Sequence, residues 1–466
     1  MLEGATAPTT APTAADDRDE FGRPKSALSW WQLLSVTAYW LAITTLWGAF
    51  TFSVIPRLVE SKGVLGSSTH PLAGLAIGVI TTAGVLIAIL VQPTMGSISD
   101  YTRSRLGRRK PYILIGTAMD LLFLTFAAWA FWNQNYWAFV GAVALLQFSS
   151  NFAQGPYQGY IPDLVPGRQV GIASGLLGAA NIAGNLLGPG LAILFVAVLP
   201  GVFGFPEITL GLFVAIGVVE VTTVLITVFF VPDRAAPATS KTMRERAFGA
   251  WGTDLLENRD YVWLLVSRLF VLTALVSLQA FAVFFLENAH QMDPNQAQSS
   301  QFPIILTVAI AALLSAVPGG WISSRIGRKP VLFVAIALGV LGALILAIGP
   351  EYWMVVAAAV PIGICSGVFL GVDWALMTDI IPKAESGRYM GISNIAVASA
   401  GPIASTVGGV LVFVITAMTL GSELAYRSIF VLMGLELLVG AWALRHVTEP
   451  ARDRSPAPEP EVAPAT

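Results

Sequence analysis

Runs of twenty or more mostly apolar residues recur from one end of this chain to the other. Nothing else in the sequence restricts the fold so severely. A helix rises about 1.5 Å per residue and the hydrocarbon of a bilayer is about 30 Å thick, so each run can cross. Twelve spans are expected, at 31–56, 72–98, 111–132, 136–160, 170–198, 207–231, 260–287, 300–324, 330–349, 352–379, 388–417 and 424–446. Only 12% of the 466 residues are charged, too few to cover a soluble surface. The fold class expected is an all-α polytopic membrane protein. Its surroundings are the lipid bilayer; no nucleic acid is a partner.

The spans fall into two matched sets. PTMGSISDYTRSRLGRRKP (93–111) follows the second span, and PGGWISSRIGRKP (318–330) follows the eighth. Asp163-Leu-Val-Pro166 answers Asp379-Ile-Ile-Pro382. Asn181-Ile-Ala, followed by Gly188-Pro189, answers Asn394-Ile-Ala, followed by Gly401-Pro402. Phe213-Val-x-x-Gly217 answers Phe430-Val-x-x-Gly434. Four matched pairs in one order imply a duplicated unit. The expected domains are two pseudo-symmetric six-helix bundles, 30–231 and 260–447, joined by a polar linker, 232–259. The Ala/Thr/Pro-rich tail 1–29 and the Pro/Glu/Ala-rich tail 448–466 are expected to be disordered. The first tail lacks the short apolar core of a signal peptide.

Charge gives direction. Of the 26 Lys and Arg residues, 22 fall in the tails and in the loops on one face. Only Arg57, Lys62 and Arg427 lie on the other face, and Arg268 lies inside a span. An excess of cations marks the cytoplasmic side, so both termini are expected there, in a plasma or bacterial inner membrane. Cys365 is the only cysteine and has no partner for a disulfide; His70, His290 and His446 sit near segment ends. No metal site, cofactor or catalytic constellation is expected, and so no enzyme.

The first cassette places Asp100 at a helix C-terminus, ahead of Arg103, Arg105, Arg108, Arg109 and Lys110. A carboxylate there opposes the helix dipole and needs a cation. An ion pair made in one conformation and broken in another is a latch. The expected latch residues are Asp100, Arg108 and Arg109, with Asp163, Arg168, Asp379 and Arg388 in the corresponding loops. Alternatively, these arginines only set topology and bind anionic lipid. The second cassette has Ser324 at the acidic position, which implies a weaker or different latch.

DYTRSRLGRRKP, NFAQGPYQGYIPDL from Asn151 and GNLLG from Gly184 resemble the glycoside–pentoside–hexuronide:cation symporters and the sucrose–proton symporters. Both are branches of the major facilitator superfamily, and the resemblance covers nearly the whole chain. It implies two bundles that rock about a midplane site, and a sugar or glycoside as solute. Two departures stand out. The sucrose symporters' proton-accepting Asp falls on Gln147, and their following Arg on Gln158. The acidic residues that melibiose-type sodium symporters carry in the second span are absent from 72–98.

Gln147, Asn151, Gln154 and Gln158 share one helical face. Their amides suit sugar hydroxyls, and they suit interhelical packing as well. Asn181 and Asn185 are similarly one turn apart. Trp40, Thr44, Trp47 and Thr51 share a face of the first span. Trp47 is the leading candidate to stack on a sugar ring, with Trp374 a second; interfacial anchoring or packing in the bundle is the alternative. A charge inside a span costs about 2.5–3.5 kcal/mol on insertion scales and needs a partner or a task. Arg268, with Gln279 on its face, is expected to approach Asp373. Asp373 is the candidate proton site; a permanent structural pair is the alternative. Asp120, Glu220 and Glu436 are expected to be packing-network or lipid-boundary residues, with a transport role as the alternative. The sequence thus points to a monomeric secondary carrier of a small solute, a sugar or glycoside, coupled to H+ by alternating access. The alternative is an exporter of amphipathic compounds or an uncoupled facilitator.

Overall fold

A computed structural model of the protein describes residues 26–64, 73–199, 209–233, 242–418 and 421–449. Residues 1–25 and 450–466 of the tails, the linker stretch 234–241 and His70 lie outside the described residues. The described residues include twelve long helices: α1 (Trp30–Val59), α2 (Ala73–Asp100), α3 (Lys110–Trp132), α4 (Tyr136–Tyr157), α5 (Val170–Ile193), α6 (Thr209–Phe230), α7 (Arg259–Ala289), α8 (Pro294–Ile326), α9 (Arg328–Ile348), α10 (Tyr352–Ile380), α11 (Ser386–Ala417) and α12 (Ser422–Arg445). Eleven of them, among the described residues, are long and apolar enough to cross a bilayer. The exception is α4, whose Gln147, Ser149, Ser150, Asn151 and Gln154 dilute its apolar content.

Local chemistry sets the helix ends. Ser29 opens α1 with a capping box to Gln32, and Asn135 caps α4 by accepting the Ala138 N–H at 3.0 Å. A π-turn, Phe50–Val54, carries α1 past Pro56. The cassettes turn on Gly107 and Gly327, whose φ of 104° and 122° disfavours any other residue. A Cβ on Gly107 would also meet the Asp233 carboxyl.

The duplication is visible in the packing. In the first half α1 packs on α5 and α6, α2 on α4, and α3 on α4 and α6. In the second, α7 packs on α11 and α12, α8 on α10, and α9 on α10 and α12. The halves meet through α2 against α11 and through α5 against α8 and α10. These contacts lie toward the end that carries the arginine-rich loops. There the backbones nearly touch: a Cβ on Gly96 would lie 2.2 Å from the Gly387 carbonyl oxygen, and one on Gly320 would lie 2.1 Å from that of Gly171. A Cβ on Gly78, near the opposite end of α2, would meet no atom within 4 Å. The close approach of the halves is therefore at the arginine-rich face.

Candidate functional site

The closed face is built around Arg109, whose side chain is fully buried. Asp233, just beyond α6, accepts the backbone N–H groups of Arg109 and Lys110 at 2.7 and 2.9 Å and so caps α3. The Arg109 guanidinium then reaches Asp100 at 2.6 Å, Asp163 at 3.1 Å and the Ser386 hydroxyl at 3.0 Å, and donates to Ser99. Arg108 pairs with Asp163 at 2.5 Å. Burial pushes the Asp163 carboxyl up, but Arg109 and Arg108 outweigh it and hold it below the usual carboxylate range.

Asp100 crosses to the other half. Its two oxygens accept the backbone N–H groups of Gly387 and Arg388, each at 3.1 Å, in the first turn of α11. Ser386 donates to Asp163 at 2.8 Å, and Tyr101 to Glu385 at 2.9 Å. An anion at a helix N-terminus satisfies free N–H groups and complements the dipole. The inter-half grip is thus a capped helix end, and Arg109 neutralises the cap.

The second copy repeats the frame without the acid. Arg328 contacts Asp379 at 3.2 Å and donates to Ser323 and Ser324 at 2.9 and 3.0 Å. Glu449, just beyond α12, caps α9 through the Arg328 N–H at 2.7 Å, as Asp233 caps α3. Ser324 stands where Asp100 does, against Gly171 in the first turn of α5. Of the other expected latch residues, Arg388 turns its side chain to Asp254 at 2.6 and 2.8 Å and to Glu385 at 2.7 Å. Arg168 is exposed and forms no ion pair with a described residue.

Behind this face lies the floor of the cleft. Arg268 and Asp373 do approach, with Nε to Oδ2 at 3.2 Å and side chains only 4% and 2% exposed. The contact is charge to charge: neither Arg268 Nε nor Asp373 Oδ1 has a hydrogen-bond partner. Arg268 also donates to Ser393 at 3.1 Å and lies over the Trp374 ring, 5.2 Å from its centroid. Trp374 meets Trp40 edge-on across the halves at 5.2 Å, and Trp40 stacks on Tyr157. Trp47 packs against Phe50 inside the first bundle, so the aromatic of α1 at the floor is Trp40.

The amide stripe divides in the structure. Asn151 donates to the backbone and side-chain oxygens of Gln147 at 2.7 and 3.0 Å. Asn185 does the same to Asn181 on α5, at 3.0 and 3.1 Å. Each ladder engages the donor amide's N–H groups and leaves its own carbonyl oxygen and the N–H groups of the accepting amide. Gln147 also packs against Gly84 of α2. Gln154 is half-buried; Gln158 is buried with neither amide atom bonded. Gln279 is exposed on α7, eleven residues beyond Arg268. Among the described residues no group of three His, Cys, Asp or Glu is placed to hold a metal.

The sequence profile of the Major Facilitator Superfamily matches residues 33–308 and 269–466. Multidrug resistance protein MdtG of Proteus mirabilis (strain HI4320) is 24% identical over 365 residues, 77% of this chain and 84% of that protein. Sucrose transport protein SUC4 of Arabidopsis thaliana is 29% identical over 196 residues, 39% of this chain and 37% of that protein. The crystal structure of the E. coli fucose:proton symporter FucP superposes with a TM-score of 0.66 at 14% identity, covering 90% of this chain and 98% of that one. At that identity the likeness is one of fold.

Proposed function

The chain belongs to the Major Facilitator Superfamily, and we propose that it is a secondary carrier of a small sugar or glycoside, coupled to protons. It is a membrane transporter and not an enzyme. We assign the arginine-rich face to the cytoplasm on the excess of cations in its loops. The conformation is then outward-facing: the cytoplasmic ends of α2, α5, α8 and α11 are closed, and solute enters from the other side.

The observation that carries the solute class is the pair of amide ladders, Gln147–Asn151 on α4 and Asn181–Asn185 on α5. Each offers donors and an acceptor at fixed spacing, the complement of vicinal hydroxyls. Trp40 and Trp374 supply an aromatic floor against which a sugar's C–H face packs. The resemblance to a sucrose transport protein supports this choice.

Asp373 is the proton acceptor in this scheme. Protonation cancels its attraction to Arg268 and frees the guanidinium, so the charge state of Asp373 decides whether α7 and α10 stay clamped. The MdtG relatives favour a second reading, export of amphipathic compounds. Thermal-shift titration of the purified protein separates the two. Stabilisation by a mono- or disaccharide, lost in Gln147→Ala and Asn181→Ala, supports the carrier. Stabilisation by lipophilic cations alone supports the exporter.

A further inference from the structure

Two carboxyl side chains sit inside the first bundle, away from both the latch and the cleft floor. Asp120 is the eleventh residue of the 23 in α3, and Glu220 is the twelfth of the 22 in α6, so both lie near mid-span. They are 1% and 4% exposed. Their helices α3 and α6 pack together, and each carboxyl lies within the other's electrostatic reach. Asp120 accepts the Ser149 hydroxyl at 2.5 Å. Neither Glu220 oxygen accepts a hydrogen bond from any N–H or hydroxyl donor.

Among the described residues no cation faces the pair: Arg57 of α1 and Lys110 of α3 lie at the helix ends, away from mid-span. On α4 the titratable groups are Tyr136 and Tyr157; α5 and the π-turn that ends it carry none. From α1 comes Tyr39, which faces both carboxyls beside Thr117. Tyr39 is 1% exposed and Thr117 6%, so both hydroxyls are buried beside the pair. Two ionised carboxylates at this separation, without a cation, repel strongly in a low dielectric. One shared proton turns that repulsion into a hydrogen bond, as in carboxyl dyads generally.

We propose that Asp120 and Glu220 form a proton-binding site that holds one shared proton and that its loading governs alternation of the halves. The route to the cleft is short. Ser149 is two residues from both Gln147 and Asn151, and Tyr39 adjoins Trp40 and meets Tyr157 edge-on at 5.2 Å. Loss of the proton places two charges behind α1 and α4, the helices that carry the aromatic floor and one amide ladder. The second bundle has no such pair. By the Phe213/Phe430 register Glu220 falls on Leu437, next to Glu436, and by the cassette register Gly339 occupies the place of Asp120. The site stands whatever solute is carried and whatever Asp373 does.

Infrared spectroscopy of the reconstituted full-length protein tests the shared proton. At neutral pH the wild type and Asp373→Asn should both show a protonated-carboxyl band that is lost in the Asp120→Asn/Glu220→Gln double variant. A double variant that keeps the band overturns the site. If the double variant does not fold, Glu220→Gln, which mimics the protonated acid, substitutes for it. A proton held by the folded state stabilises at low pH and is lost as pH rises. The wild-type melting temperature should therefore fall from neutral to alkaline pH, and that of Glu220→Gln should fall less. Identical falls overturn the site. Transport by Glu220→Gln should also have a flatter alkaline pH profile; a wild-type profile overturns the role in alternation.

Discussion

Asp100 caps α11 across the boundary between the halves, accepting the N–H groups of Gly387 and Arg388 at 3.1 Å each. A cap of this kind requires the arginine-rich ends to be together, so under the proposed alternation it would serve as a conformational latch. Asp100→Ala removes the two charge-assisted hydrogen bonds across the halves, worth about 1.5–3 kcal/mol each before relaxation, together with the Arg109 ion pair inside the first half. We expect the population to shift toward the form open at the arginine-rich face by roughly tenfold or more. Spin-label distances between the arginine-rich ends of α2 and α11 should lengthen. Unchanged distances would mean that backbone packing at Gly96 and Gly387 holds the face shut without the cap.

The second gate offers the converse experiment. Ser324 occupies the Asp100 position beside Arg328, facing Gly171 in the first turn of α5. Ser324→Asp should install a second cap, neutralised by Arg328 as Arg109 neutralises the first. The prediction is a stronger preference for the outward-facing form and slower transport, with the folded state retained. Faster transport would show that the gates are not equivalent.

Acid should weaken the first gate through Asp163. Its carboxyl titrates below the ordinary value of 3.8 because Arg109 and Arg108 outweigh its burial. A depressed carboxylate contributes stability that is fully present above the unfolded value and is lost as pH falls through the folded one. The closed face should therefore hold its stability down to about pH 4 and loosen below it. Asp163→Asn should start from lower stability and show a smaller loss on acidification. An equal loss in both proteins would assign the acid sensitivity elsewhere.

The fold was legible because apolar length and repetition leave little choice. Long runs must cross a membrane, and a duplicated cassette must place its copies alike. Asp100, Arg109 and Asp163 were legible too, since a carboxylate at a helix end demands a cation. What escaped was chemistry carried by the backbone and by single residues after a span. The partners of Asp100 across the halves are amide groups, which no side chain advertises. Asp233 and Glu449 cap α3 and α9 from beyond the sixth and twelfth spans. Their signal was available: they are 216 residues apart, as are Asp163 and Asp379. Trp40 and Trp47 share a helix face, so periodicity alone did not separate the floor residue from the packing residue. Asp120 and Glu220 lie 100 residues apart on different helices, and only the fold joins them.

The Arg268–Asp373 pair separates coupling from architecture. It is buried, and two of its polar atoms lack hydrogen bonds, so its attraction works against a desolvation cost of several kcal/mol per ion. Removing one partner strands the other: Arg268→Ala should cost about 3–5 kcal/mol at neutral pH. Acidification should restore part of that loss, because a protonated Asp373 needs no cation. Asp373→Asn also strands a charge, but Arg268 keeps its bond to Ser393 and its contact with Trp374, so the loss should be smaller. The double variant Arg268→Met/Asp373→Leu should recover most of the stability in a thermal melt. Transport then decides the role. If Asp373 carries the coupled proton, Asp373→Asn should still exchange solute across the membrane down its gradient but fail to accumulate it against one when a pH gradient is imposed. Accumulation equal to the wild type's would make the pair a structural clamp between α7 and α10 and move coupling to another site.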